Sequence, residues 1–250
     1  MAYVIGDIHG EHEKLLALMK NIPLNEKLIF IGDYINKGSK SKEVVEYLSE
    51  LGSSRETVFL IGNHEFKLLQ AWDGNPQAQA YLKQYGFKET LESYLEKKLT
   101  DSEFDEILAK GTSKDILSQH QDFFKKLKPY YEDGQYFIVH AGIPLDEEEE
   151  FSLEPLEEMV FTREKFINLK KKYNNKIIIF GHTAFTQVFW DGYKLGIDTG
   201  AVYRKSNGYG RLTAVDLSSF ECVDSEGERY KPKMYTQQKV TLNRKEWSDL

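Results

Sequence analysis

The stretch AYVIGDIHG, residues 2–10, sets the reading of the whole chain. Ala2–Ile5 is a short, uninterrupted apolar run, the pattern of a strand buried on both faces. It ends at Gly6, and two side chains able to bind a metal, Asp7 and His9, follow at once. The pattern recurs. KLIFI (27–31) runs into Gly32-Asp33-Tyr34, and TVFLI (57–61) into Gly62-Asn63-His64-Glu65. YFIV (136–139) runs into His140-Ala141-Gly142, and KIIIF (176–180) into Gly181-His182-Thr183. Helical spacing fills the first two gaps, with Leu15, Leu18, Met19 and Ile22 in 11–22, and Val44, Val45 and Leu48 in 41–51. Strand–helix alternation of this kind predicts an α/β fold with parallel strands joined by crossover helices. Ligand sites in such folds lie at the carboxyl ends of the strands, so the five segments are expected to converge.

The rest of the chain reads differently. Residues 66–128 carry helical patterns, over 89–99 and 114–127 among others, with breaks at Gly74-Asn75-Pro76 and Gly111. We read this part as a helical insertion within one domain spanning 1–230. Short runs at 188–190, 195–197, 212–217 and 220–223 predict an antiparallel sheet in the last quarter. Residues 231–250 form a polar tail, frayed or docked as an edge strand. The acidic run 146–150 reads as a solvated loop.

Composition sets the outer limits. With 40% hydrophobic and 29% charged residues, the 250-residue chain is of globular type. A net charge of −7 argues against bulk nucleic-acid binding, which depends on neutralising phosphates. No apolar run reaches the roughly 18 residues of a membrane span, and the N-terminus lacks the charged and small-residue signals of a secretory leader. Cys222 is the single cysteine. It is expected to be a core residue in a cytoplasmic protein without an internal disulfide. His12 and His120 fall outside the strand-end pattern and read as ordinary polar residues.

Asp7, His9, Asp33, Asn63, His140 and His182 together offer carboxylate, amide and imidazole donors. Such mixed oxygen–nitrogen sets suit first-row divalent ions: manganese first, with iron, zinc, cobalt or nickel as the others. The set exceeds what one tetrahedral ion needs, and a carboxylate can bridge two. Two ions roughly 3.5–4 Å apart can activate a water and clamp the oxygens of a phosphoryl group.

The blocks GDIHG (6–10), GDYINKG (32–38), GNHE (62–65), HAG (140–142) and GHT (181–183) resemble those of the calcineurin-like metallophosphoesterases. The likeness is to the bacterial branch of the phosphoprotein phosphatases, which includes the symmetrical diadenosine tetraphosphatases; TREKF (162–166) and IDTGAVY (197–203) fit it as well. The resemblance implies two packed mixed β-sheets flanked by helices, with metals at the sheet ends. It implies Asp7 and His9 on a first ion, Asp33 bridging, and Asn63, His140 and His182 on a second. It also implies His64 as proton donor to the leaving group and Arg163 as a phosphate clamp. One block departs from the family's usual GDYVDRG: Asn36 and Lys37 stand where the family has Asp and Arg. Asn36 brings no negative charge to His64, and Lys37 keeps a charge but loses the bidentate fork. The leading expectation is a phosphomonoesterase of the serine/threonine phosphoprotein type. The alternatives are a hydrolase of dinucleoside polyphosphates or nucleotide caps, and a metal-binding module with weak or no catalysis.

Overall fold

A computed structural model describes residues 1–236 and 240. The strands are β1 (Ala2–Ile5), β2 (Lys27–Phe30), β3 (Thr57–Phe59), β4 (Tyr130–Asp133), β5 (Tyr136–Val139), β6 (Ile177–Phe180), β7 (Phe189–Trp190), β8 (Lys194–Gly196), β9 (Thr213–Asp216), β10 (Glu221–Asp224) and β11 (Arg229–Tyr230). Among the described residues they form two mixed sheets, ordered β11-β10-β9-β1-β2-β3 and β4-β5-β6-β8-β7. The strands β1, β2 and β3 run parallel, as do β5, β6 and β8. Both sheets therefore end their parallel strands in the loops that carry the candidate ligands.

Side-chain alternation explains why the runs are apolar throughout. Successive residues of a strand face opposite sides. Ala2, Val4, Ile29 and Ile31 of the first sheet meet Ile138, Ile179, Leu195 and Ile197 of the second in one buried cluster, which also takes in Cys222. The intervening Tyr3, Ile5, Leu28 and Phe30 face helices on the outer side. Phe137, Val139, Ile178 and Phe180 do the same on the far side of the second sheet. The result is two packed mixed sheets flanked by helices, as the resemblance implied.

The helices are α1 (His12–Met19), α2 (Ser41–Ser54), α3 (Asn63–Trp72), α4 (Pro76–Gln84), α5 (Phe87–Leu95), α6 (Asp101–Lys110), α7 (Ser113–Ile116), α8 (Gln121–Lys125), α9 (Leu156–Phe161) and α10 (Glu164–Asn168). The helical character of 66–128 is present, but α3 starts at Asn63, so GNHE forms its first turn. The helix expected over 114–127 is broken into α7, a 3₁₀ turn and α8. No helix among the described residues is long and apolar enough to cross a membrane.

One further expectation needs correction. The last quarter is not one antiparallel sheet. β7 and β8 join the second sheet, with β8 parallel to β6, while β9 and β10 extend the first sheet antiparallel beside β1. The physical reason is that β1 and β6 are both buried on both faces and each needs a neighbour on its second edge. Strand β4, sequence YYED, is additional; its part-exposed residues give no apolar run. The acidic run 146–150 is exposed, and Asp146 Oδ1 accepts the N–H groups of Glu148 and Glu150. His120 is buried, 2.7 Å from the Tyr94 hydroxyl. Most of the expected tail lies outside the described residues. Of the described part, the Tyr235 N–H donates to the Trp190 carbonyl and Val240 pairs with the Asn168 amide.

The turn between α4 and α5 binds the helical segment to the sheet. Gly86, at φ +81°, accepts the Lys37 N–H at 3.0 Å, and a Cβ there would lie 2.5 Å from Lys37 N. Gly86→Ala is expected to destabilise the protein by at least ~1 kcal/mol, since left-handed backbone alone costs an L-residue that much. Urea unfolding measures it; an unchanged midpoint would mean that the turn does not bear on the Lys37 loop.

Candidate metal centre

Each expected ligand stands at the carboxyl end of a strand, and most are held by backbone partners. The Asp7 carboxylate accepts the His182 N–H, at 3.0 Å to Oδ2. The Asp33 carboxylate accepts the His64 N–H at 3.2 Å. His9 Nδ1 lies 3.0 Å from the Ile35 carbonyl and His140 Nδ1 2.9 Å from that of Ile31. A carbonyl only accepts, so each Nδ1 carries the proton and each Nε2 of the neutral ring presents a lone pair. Second partners of this kind fix metal-binding imidazoles in register.

Those lone pairs face other lone pairs. His140 Nε2 is 2.9 Å from Asn63 Oδ1 and 3.5 Å from Asp33 Oδ1. The Asn63 amide nitrogen donates to the Tyr81 hydroxyl at 2.6 Å, which fixes Oδ1 toward His140. His9 Nε2 is 3.3 Å from Asp33 Oδ2. Among the described residues His182 Nε2 is buried without a hydrogen-bond partner. Acceptors set against acceptors in a buried place are repulsive unless a cation lies among them; the Lys37 ammonium meets the His9 side, 3.0 Å from Nε2, and not the His140 side. The donor atoms of Asp33, His140 and His182 lie within 4.8 Å of one another, and so do those of His9, Asp33 and His64. Two groups that share Asp33 could each hold an ion; Asp7 is in neither, and His64, not expected as a ligand, is in one.

The electrostatics agree. Burial, then repulsion from Asp198 and Asp33, holds Asp7 well above the usual carboxylate range, and burial pushes Asp33 up to about 7. Burial pushes His140 down to about 3, and burial with the Lys37 charge lowers His9. The same pocket thus crowds carboxylates and keeps imidazoles neutral, a state that positive charge relieves. Gly62 and Gly181 permit the crowding: a Cβ at either would sit 2.2 Å from a carboxylate oxygen, of Asp33 and Asp7 respectively.

Of the remaining expected residues His64, Lys37 and Arg163 line one cleft of about 620 Å³ with His9, Asp33, Asn63 and His182, while Asn36 lies behind His64. His64 Nε2 is 3.9 Å from Asp33 Oδ2. Asn36 is wholly buried. Its Nδ2 lies 2.7 Å from His64 Nδ1 and its Oδ1 accepts the Thr90 hydroxyl at 2.8 Å. Lys37 Nζ is 3.0 Å from His9 Nε2. Arg163 Nη1 donates to the His182 carbonyl and the Thr183 hydroxyl, each at 3.2 Å.

Sequence reasoning missed others. Asp198 follows β8 as a buried strand-end acid, its Oδ1 accepting the Gly200 N–H at 2.8 Å. The run LGIDTG repeats the strand-then-acid signal and would have revealed it. Glu65 accepts the N–H groups of Asp33, Tyr34, Ile35 and Gly62 at 2.8–3.3 Å, tying the β2 loop to α3. Tyr81 and Thr90 reach the site from helices, and nothing in the sequence near them marks it.

Residues 2–189 match the family model described as calcineurin-like phosphoesterase. The chain belongs to that family. Among curated relatives it is 30% identical over 145 residues to the symmetrical bis(5'-nucleosyl)-tetraphosphatase of Methylococcus capsulatus, covering 57% of this chain and 43% of the relative. It is 26% identical over 245 residues to the asymmetrical bis(5'-nucleosyl)-tetraphosphatase of Anoxybacillus flavithermus, covering 88% and 91%. The chain thus spans less than half the length of the first relative and most of the second. The fold is that of a cold-active protein-tyrosine phosphatase from Shewanella, at TM-score 0.57 and 14% identity over 92% of this chain and 79% of the other. It is also that of a serine/threonine phosphatase from Saccharomyces cerevisiae, at TM-score 0.55 and 18% identity over 95% and 82%.

Glu65 generates a prediction about stability. Glu65→Ala leaves buried N–H groups unpaired and is expected to cost ~2 kcal/mol or more. Glu65→Gln keeps the shape but turns an N–H₂ toward N–H donors, so it is expected to recover only part. Denaturant midpoints of the two variants test this, and a Gln variant as stable as wild type would remove the carboxylate from that role.

Proposed function

We propose that the chain is a dinuclear-metal hydrolase whose substrate is a nucleoside polyphosphate, cleaved at a phosphoanhydride. In this reading Asp7 and His9 hold one ion, Asn63, His140 and His182 the other, and Asp33 both, with manganese the first ion to test. Bound there, the ions would supply a nucleophilic water at neutral pH and neutralise the phosphoryl oxygens. Arg163 and Lys37, two cations on the same cleft, would grip the non-transferred oxygens.

The observation that carries the substrate class is the Asn36–His64 contact. Asn36 Nδ2 donates to His64 Nδ1, while Thr90 holds Asn36 Oδ1. That arrangement puts the ring proton on Nε2, and the amide adds no charge that would favour an imidazolium. His64 then offers a neutral N–H to the departing oxygen. A serine or threonine alkoxide needs a full proton to leave. A terminal phosphate, with a second pKa of about 6, leaves as the anion. The two bis(5'-nucleosyl)-tetraphosphatase relatives support the same choice. The phosphomonoester reading, phosphoproteins included, stands second; Arg163 and Lys37 favour it because a two-cation clamp needs no nucleoside.

Turnover of diadenosine tetraphosphate, a phosphoserine peptide and p-nitrophenyl phosphate with Mn²⁺ decides among these readings. The tetraphosphate is expected to have the highest kcat/KM. A preference for the peptide would reverse the order of the two readings. Bound metal without turnover on any substrate would leave a binding module. Asn36→Asp is expected to raise alkyl phosphate hydrolysis relative to the tetraphosphate by roughly tenfold, the low end of general-acid effects being ~10²-fold. Asp33→Asn is expected to abolish activity and lower the metal content of dialysed protein; wild-type stoichiometry by elemental analysis would count against a shared carboxylate.

A further inference from the structure

Tyr85 is the one aromatic side chain among the described residues that stays exposed, at 40%, and it stands on the wall of the candidate active-site cleft. Its ring packs on Tyr81 at 4.3 Å between centroids, tilted by 33°. Tyr81 in turn lies edge-on to His64 at 5.8 Å and to Phe161 at 5.6 Å. These rings make an aromatic wall that starts beside His64 and runs outward. Tyr81 cannot swing away freely, because its hydroxyl accepts the Asn63 amide. Tyr85 is fixed relative to the Lys37 loop, since the next residue, Gly86, accepts the Lys37 N–H.

We propose that Tyr81 and Tyr85, backed by Phe161, form a subsite on which the nucleobase of the departing nucleotide stacks. The inference rests on the nucleoside polyphosphate reading and adds to it the place of the base. In that reading His64 donates to the leaving oxygen, so the wall that begins at His64 lies on the leaving-group side. An aromatic face accepts any base, as stacking requires no particular hydrogen-bond pattern. The position of Tyr85 separates a nucleotide from phosphotyrosine. A phosphotyrosine ring is bonded directly to the scissile oxygen and would meet Tyr81. A nucleobase is set off by ribose and phosphate and can reach the ring further out.

The test compares Tyr85→Leu with Tyr85→Trp on diadenosine tetraphosphate and on inorganic tripolyphosphate, which has the anhydride and no base. In Tyr85→Leu the ratio of kcat/KM for the tetraphosphate over tripolyphosphate is expected to fall about tenfold, through KM, as loss of one base–aromatic stack does. Tyr85→Trp is expected to restore it. Calorimetric titration with adenosine 5'-(β,γ-methylene)triphosphate and with methylenediphosphonate gives a readout independent of turnover: Tyr85→Leu should weaken the first and leave the second. Equal effects on substrates with and without a base would overturn the subsite. So would a loss confined to phosphotyrosine peptides, which would give the wall to an aryl ester. If wild type ignores both anhydrides yet still binds the nucleotide analogue through Tyr85, the substrate reading fails and the stacking surface stands.

Discussion

The Asp33 carboxylate lies between two groups of imidazoles. His9 and His64 approach one oxygen and His140 the other. Because His9 and His140 spend their ring protons on backbone carbonyls, neither Nε2 can donate to the Asp33 carboxylate, and the Lys37 ammonium meets only the His9 side. The backbone is held against its own preference to keep the groups there. His9, Asp33, Asn36, Lys37 and His182 all have positive φ without being glycine. Each such residue costs of order 1–3 kcal/mol and persists only where its surroundings fix it. Glu65 supplies part of that fixing, since its carboxylate binds the amides of three successive residues of the β2 loop and that of Gly62.

The same loop is gripped from the other side. Thr90 of α5 accepts the Asn36 N–H, and Gly86 accepts that of Lys37. The helical segment therefore does more than cover a face of the first sheet. It sets the two residues at which the chain departs from the usual family block. The substitution of Asn for Asp is accommodated there without an orphaned atom, because the Thr90 hydroxyl donates to the amide oxygen that a carboxylate would have presented.

The strand-end pattern was legible in the sequence because burial on both faces leaves β1, β2, β5 and β6 apolar but for Lys27 at the start of β2 and two tyrosines, so that the first candidate ligand stands out. Asp198 obeys the same rule after the three-residue strand β8, but the run 195–197 was read as part of an antiparallel sheet and not as a strand ending at the site. Strand β4 was illegible for the opposite reason: its residues are part-exposed at a sheet edge. The distribution of the last strands between two sheets depends on which edges remain open, a property of the assembled sheets and not of any local stretch. Tyr81, Thr90 and Gly86 reach the site from helices whose local pattern records only their packing against the core.

The pairing of β1 with β9 carries a consequence for how the molecule comes into being. Ile5 pairs with Ala214, Gly6 donates to the Thr213 carbonyl, and Asp7 receives the His182 N–H. Asp7 thus waits for a partner 175 residues further along the chain. Contacts of such sequence separation are slow to close and leave hydrophobic strands uncovered meanwhile. A nascent chain stalled before residue 213 would hold β1 without its second neighbour, a natural client for chaperones.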